Sequence, residues 1–457
     1  MPSKGFIASA ANKKYLAINI LLVTNAFVWY YLIIEILKSI VQNAQISQST
    51  AVIIWSLHFA GIAVSALIGA SLANRIKNRS KFLIFWMILG MTISFISILA
   101  DLTSVSSIAV LSLLFGVSLG LGMPSCMGYF TESVTVEKRG LIGGIIFCLS
   151  CLIIVALGLI ASGNVGTQTI ILTGWRLLGL AIFLGFIIYY PVKEKLAKSS
   201  SLTYKTLLNQ RVFLLYLIPW LLFSLIDYLT IPLQTSIIQN MQANSINIPS
   251  VEVLRSIENV LGAIFAVLGG FLADLIGRKR VSIFGFAMLG LSYSVLGIFP
   301  ENPLSWYFYT VVDGIAMGVL FVIFVLTIWA DLSHGVSSEK YYAMGVLPFF
   351  ISYFLRLVEG TYIVEAIPSV AIFSLTAFLL FLAVLPLVYA PETLPEKHFK
   401  DRDLKSYIDK AQRIVNKEQE KNNKKLKNEG RSEQEEQPTE KNNEEYEKAK
   451  QLAEKYY

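Results

Sequence analysis

Apolar runs long enough to cross a bilayer dominate the first 390 residues, and their length decides what this chain can fold into. A helix rises about 1.5 Å per residue, so a hydrocarbon core of roughly 30 Å asks for about 20 apolar residues. Runs of that kind lie at 15–37, 51–73, 82–100, 107–130, 140–162 and 171–190, and again at 211–235, 253–273, 281–299, 305–330, 342–363 and 369–390. In lipid every backbone polar group must be satisfied within the protein, and helices do this segment by segment. The expected fold is an all-α integral membrane protein with twelve transmembrane helices.

Composition agrees. Only 15% of residues are charged and 55% are hydrophobic, whereas a soluble domain carries roughly 25% charged residues. From Pro391 onward 16 basic residues meet 16 acidic ones, so the formal +7 belongs to residues 1–390. A basic, apolar body names the lipid bilayer as partner and argues against nucleic acid. Cys126, Cys148 and Cys151 lie in apolar runs, and the close pair has no second ligand pair for zinc. No metal site or cofactor is expected. No cleavable signal is expected either, since the first apolar run follows Lys13 and Lys14 and is long enough to span. A phosphate-binding Walker loop and a nucleophile elbow are both missing, which argues against an ATP-driven pump, a hydrolase or any other enzyme.

Charge sets an orientation. The basic residues of the connections, from Lys13 and Lys14 through Arg75, Lys138, Lys195, Lys279 and Lys340, fall before the first helix or in even-numbered connections. The odd connections hold Lys38 and little else. The positive-inside rule then puts both termini in the cytoplasm of a multi-pass protein of the cell membrane. The expected divisions are a cytoplasmic N-terminus (1–14), a six-helix bundle (15–190), a cationic, Ser-rich cytoplasmic linker (191–210), a second six-helix bundle (211–390) and a charged tail (391–457). In the tail, Leu404, Ile408, Ala411 and Val415 have the spacing of one short amphipathic helix, and the rest reads as solvated chain.

An offset of 200 residues overlays the two halves. Gly69-Ala-Ser-Leu-Ala-Asn74-Arg75 lies over Gly269-Gly270-Phe-Leu-Ala-Asp274-Leu275, and the second copy continues Ile276-Gly277-Arg278-Lys279. Each copy ends one helix and starts the next. Gly270 permits a close helix approach, Asp274 is suited to accept hydrogen bonds from a helix N-terminus in the other half, and Gly277 permits the turn. Arg278 and Lys279 are expected to hold this loop at the inner surface. A latch of this kind is made in one conformation and broken in another, which is what a gate requires.

The segment Gly270 to Lys279 resembles the signature loop of the major facilitator superfamily between its eighth and ninth helices. The first copy departs from it, with Asn74 in place of the acid and Lys77 in place of the glycine. Tyr129-Phe-Thr-Glu132 followed by Arg139-Gly140, then Gly174-Trp175-Arg176 and Pro391-Glu392-Thr393, resemble segments of the sugar-porter and metabolite–proton symporter branches. Asp331 and Lys340 look like the repeat partners of Glu132 and Arg139. The resemblance covers about residues 15–395 and implies two pseudo-symmetric six-helix bundles working by alternating access. Three departures stand beside it: Ser112 lies where proton-coupled members carry an arginine, the first helix offers only Asn25 near its middle, and the glutamine pair of sugar porters is replaced by Gln234 and Gln239 nearby.

Ionisable residues inside a membrane are functional candidates by default. The helices that the resemblance puts on the periphery (third, sixth, ninth and twelfth) carry charges only at their ends, Asp101 and Arg176 among them. Interior charges fall elsewhere: Glu35, His58, Asp227, Glu258, Asp313, Arg356 and Glu359. Counted from the cytoplasmic ends, Asp227 and Glu258 lie about 24 Å in, Arg356 about 21 Å and Glu359 about 27 Å. Arg356 is expected to pair with Glu258 or Asp227 around a polar solute or proton, or else with Glu359 one turn away. Glu35 is expected at the outer interface, and His58, which overlays Glu258, is either a packing residue or a proton relay. The expected function is secondary or facilitated transport of a sugar or organic acid, with proton coupling left open. Export of hydrophobic compounds and solute sensing through the tail are the alternatives.

Overall fold

Each apolar run becomes a helix, and the ends fall where the sequence supplies caps or breakers. The computed structural model describes residues 5–73, 76, 78–161, 164–189, 202–334, 338–358 and 368–394, together with 408, 412, 413, 415–417, 419 and 420. For 5–14, 161, 227–229, 232, 358, 369 and 370 it describes the backbone alone. The first half comprises α1 (Gly5–Asn43), α2 (Gln48–Ala73), α3 (Arg79–Leu99), α4 (Val105–Ser133), α5 (Arg139–Ala161) and α6 (Val165–Tyr189). A short α7 (Tyr204–Leu208) leads into α8 (Arg211–Ala243), α9 (Val251–Ile276), α10 (Arg278–Ile298) and α11 (Pro303–Phe321). A π-helical turn (Val322–Thr327) joins α11 to α12 (Ile328–Leu332), and α13 (Ser338–Gly345), α14 (Leu347–Val358) and α15 (Ser369–Tyr389) complete the set.

Ten of the described helices are long and apolar enough to cross a membrane. The 33-residue α8 has crossing length as well. The span expected at 342–363 is broken into α13 and α14 at Val346. Pro348 explains the break, because its ring disfavours helical geometry just before it and removes an N–H donor. At the starts, Asn78 accepts from the Lys81 N–H (3.0 Å) and Asn302 from the Leu304 N–H (2.9 Å), the latter ahead of Pro303 at the first helical position.

The doubling visible in the sequence reappears as packing. Helix α2 packs on α4 as α9 packs on α11, and α3 on α6 as α10 on α15. The halves meet twice through equivalent elements: α5 lies against α9, while α13 and α14 lie against α2. Phe85, Leu177, Phe284 and Phe378, one from each of α3, α6, α10 and α15, are exposed apolar side chains. Such a surface is stable only against lipid.

Residues Met1–Leu394 form one unit and Pro395–Tyr457 a second. In the second, the described positions are helical, and Ile408 and Val415 of the expected amphipathic set are exposed there. Leu404 and Ala411 lie outside the described residues.

Arg176 requires a correction. It was expected at a helix end, yet α6 begins at Val165, with the Asn164 side chain accepting from the Gly166 N–H (2.8 Å), so Arg176 lies well inside. It is wholly buried, sandwiched between Trp29 and Trp86 at 4.3 and 4.2 Å from the ring centroids, and it donates to Asn25 Oδ1 at 2.9 Å. Two indole faces and an amide replace water around the guanidinium.

Candidate functional site

The end of the molecule that carries the basic connections holds a hydrogen-bonded junction between the halves. Helices α5 and α9 cross with backbone almost in contact: a Cβ at Gly270 would stand 2.1 Å from the Gly140 carbonyl oxygen, and one at Gly144 would stand 2.2 Å from that of Ala266. This closeness lets the Asp274 carboxylate reach the N-terminus of α5 and accept from the N–H groups of Gly140 (2.9 Å) and Leu141 (2.8 Å). The carboxylate meets both the orphan donors and the positive end of the helix dipole. Gly277, at φ +107°, reverses the chain directly into α10. With no side chain of its own at that turn, α10 is capped from the far end of α15: Glu392 accepts from the N–H groups of Arg278 (2.9 Å) and Lys279 (3.2 Å).

Arg278, expected to hold this loop, is wholly buried. It pairs with Asp274 (2.7 Å) and Asp331 (3.1 Å) and donates to the carbonyls of Ala273 and Val136. Asp331 also accepts from Arg139 (2.7 Å) and from the Thr393 hydroxyl (3.2 Å). Arg139 in turn donates to the carbonyls of Thr131 and Val134. Two arginines and two aspartates from both halves thus satisfy one another away from water. Breaking such a set by removing one member leaves a buried charge behind. Lys279 instead extends over the surface to the Val388 carbonyl (2.7 Å).

The repeat is not symmetric here. Asn74 and Arg75 lie outside the described residues. Glu132, the counterpart of Asp331, is half-exposed and pairs with Arg79 (2.6 Å), which also holds the buried Glu339 of the other half. Lys340, the counterpart of Arg139, donates to the Leu202 carbonyl and stands 5.6 Å from the Tyr204 ring centroid. Tyr204 donates to the Leu67 carbonyl, so the short α7 ties α2 to α13 where the first copy of the loop departs from the pattern.

Above this junction a cavity of about 440 Å³ lies between the halves, lined by α1, α2, α4, α5, α9, α11, the π-helical turn, α13 and α14. Phe27, Phe147, Phe321, Phe349 and Phe350 furnish much of its wall, and Pro124 of α4 lines it too. Among the described residues its charged members are Glu35, Lys38 and Arg356. Glu35 and Lys38 form an ion pair at 2.8 Å. Lys38 and Arg356 stand 5.8 and 5.5 Å from the centroid of the Tyr353 ring, one from each half of the protein.

Of the interior charges singled out from sequence, Glu35 and Arg356 reach this cavity and three others are placed elsewhere. The expected Arg356–Glu258 pair does not form, and among the described residues no carboxylate lies within ion-pair distance of Arg356. Helix α9 turns Asn259, not Glu258, to the cavity. Gly314 packs on the backbone of Glu258, which puts Glu258 and Asp313 together at the α9–α11 crossing. His58 is wholly buried at the matching α2–α4 crossing, where Nδ1 lies 3.0 Å from the Ser112 carbonyl and Nε2 has no partner among the described residues. The side chain of Asp227 and all of Glu359 lie outside the described residues. Gln234 donates to the Tyr309 hydroxyl (2.8 Å) inside the second bundle and does not line the cavity.

Sequence reasoning missed three participants. Lys38 lines the cavity with Glu35; their spacing of three on one helix was the available signal. Arg79 and Glu339 are the other two, and nothing local marks a pair that closes only across the two halves.

The profile of the Major Facilitator Superfamily matches residues 18–242 and 228–426. No curated protein matches the sequence significantly. Among solved structures, the Escherichia coli fucose:proton symporter FucP aligns at 13% identity and TM-score 0.62, covering 82% of this chain and 98% of that one. The human organic anion transporter MFSD10 aligns at 13% identity and TM-score 0.59 over 82% and 99%. A bacterial homologue of the iron transporter ferroportin, in its outward-facing state, aligns at 15% identity and TM-score 0.59 over 82% and 97%. At such identity the likeness is one of fold and does not resolve a sugar-porter or symporter branch. With the profile spanning most of its length, the chain belongs to the Major Facilitator Superfamily of secondary transporters.

Proposed function

We propose that the protein carries a small organic solute across the cell membrane by alternating access, with the central cavity as the solute site and the basic-end junction as the cytoplasmic gate. The observation that carries this reading is the cavity itself: about 440 Å³, walled by both halves, above an interface made of hydrogen bonds and ion pairs that can be exchanged for water. Binding near the middle between repeats is what rocking of one half against the other requires. The gate then consists of Gly270, Asp274, Gly277, Arg278 and Lys279 with Glu132, Arg139, Asp331 and Lys340, and extends to Arg79, Glu339 and Glu392. The positive-inside rule supports placing this end, and both termini, in the cytoplasm.

Glu35, the carboxylate among the described cavity-lining residues, is the group on which proton coupling would fall. Uptake of a solute library into proteoliposomes, with and without an imposed pH gradient, tests the reading. Solute-dependent flux lost in Arg139→Ala supports it. Binding without any flux, unchanged by removal of the tail, would replace transport with sensing.

A further inference from the structure

The cavity is unequally furnished along its length. On α1 its lining runs Phe27, Tyr30, Glu35, Lys38, so apolar and charged ends are 11 residues apart, or about 16 Å. Helix α14 runs the same way, from Phe349 and Phe350 to Arg356. Aromatic rings therefore form the end near the basic junction, and the cations stand at the far end. Glu35 and Lys38 cancel in their ion pair, which leaves Arg356 as an excess positive charge among the described lining residues.

A second polar group waits between the two ends. The Tyr30 hydroxyl is buried, lines the cavity and has no hydrogen-bond partner among the described residues. A guanidinium with no carboxylate and a hydroxyl with no partner among the described residues are both costly inside a membrane protein, and both are suited to one carboxylate. A sugar would ask for several planar amides beside hydroxyls, and Asn259 is the one amide among the described lining residues.

We propose that the cavity takes an amphipathic organic monoanion, its apolar body against Phe349, Phe350 and Phe321 and its carboxylate on Arg356 with the Tyr30 hydroxyl within reach. This rests on the cavity being the solute site. The test measures binding of 2-naphthoate, its neutral isostere 2-naphthamide and D-glucose to the purified full-length protein by calorimetry. The acid is expected to bind at least about tenfold tighter than the amide. Arg356→Gln should bring the acid down to the level of the amide and leave the amide unchanged. Should Arg356→Gln fail to fold, Arg356→Lys must keep the acid preference and Phe350→Ala must weaken both aromatic probes alike. Equal binding of acid and amide by the wild type overturns the proposal, as does an acid preference that survives in Arg356→Gln or glucose binding tighter than naphthoate. Counterflow in proteoliposomes keeps the two readings apart. Acid-selective binding with no flux of any solute removes transport and retains the ligand class, whereas glucose flux without acid selectivity does the reverse.

Discussion

Replacing Gly270 with alanine tests the gate at the place where the halves come closest. The added Cβ would stand 2.1 Å from the Gly140 carbonyl oxygen and 2.6 Å from its carbon, both backbone atoms that no rotamer can move. A relaxed carbon–oxygen contact needs roughly 3.3 Å, so α5 and α9 must part by about 1.2 Å. The Asp274 bonds to Gly140 and Leu141, now 2.9 and 2.8 Å, would then stretch to about 4 Å, beyond hydrogen-bonding range. Two charge-assisted bonds at about 1.5–3 kcal/mol each put about 3–6 kcal/mol against the closed gate. Under the proposed alternating access the open gate parts these helices and is spared that penalty. At roughly 1.4 kcal/mol per factor of ten, the closed-to-open ratio falls at least about 100-fold.

Cys151 is a native reporter, since it lines the cavity on α5, twelve residues beyond Arg139. In a Cys148→Ser background, with Cys126 wholly buried and silent, an impermeant maleimide is applied to vesicles from the basic side. Labelling of Cys151 is expected to accelerate at least about tenfold in Gly270→Ala. An unchanged labelling rate in a folded variant would refute the reasoning, because the wedge would then have been absorbed without opening the junction.

Other substitutions separate the remaining parts. Asp331→Asn removes the anion shared by Arg139 and Arg278 and should cost about 3–5 kcal/mol, read as a lowered thermal midpoint of the purified protein; Thr393→Val, which deletes only the 3.2 Å bond to Asp331, should cost about 1 kcal/mol. Arg176→Lys keeps the charge but loses the plane stacked between Trp29 and Trp86, so the midpoint should fall by the equivalent of about 2 kcal/mol with the solute affinity unchanged. Tyr204→Phe deletes the hydroxyl that holds α7 to the Leu67 carbonyl and should cost about 1 kcal/mol; no shift in thermal midpoint would show that α7 does not tie the halves.

Much of the fold and part of the site were legible because they obey local rules. Helix positions follow from apolar length, and the main misreading, the split at Val346, follows from Pro348 inside an otherwise suitable run. Asp274, Gly270 and Gly277 stood out because an acid, a close-approach glycine and a turn glycine in that order have few other uses. The burial of Arg278 was not legible, because the solvation its charge needs comes from Asp274 and from the distant Asp331. Glu258 and Asp313 were counted as cavity groups on depth alone. Depth along a helix gives height in the membrane but not the direction of the side chain, and the α9–α11 crossing turns them aside.

By itself the sequence determined a doubled bundle of membrane helices with a basic end, since length, hydropathy and charge asymmetry act before any two helices meet. Only the tertiary structure decided which charges are spent on closing that end and which stand in the cavity. Arg79 finds Glu339, Arg139 finds Asp331, and Arg356 is left in the cavity lining beside the Tyr353 ring of its own helix. The physical reason is that a charge in a membrane protein is defined by its neighbours, and these neighbours lie on helices remote in sequence.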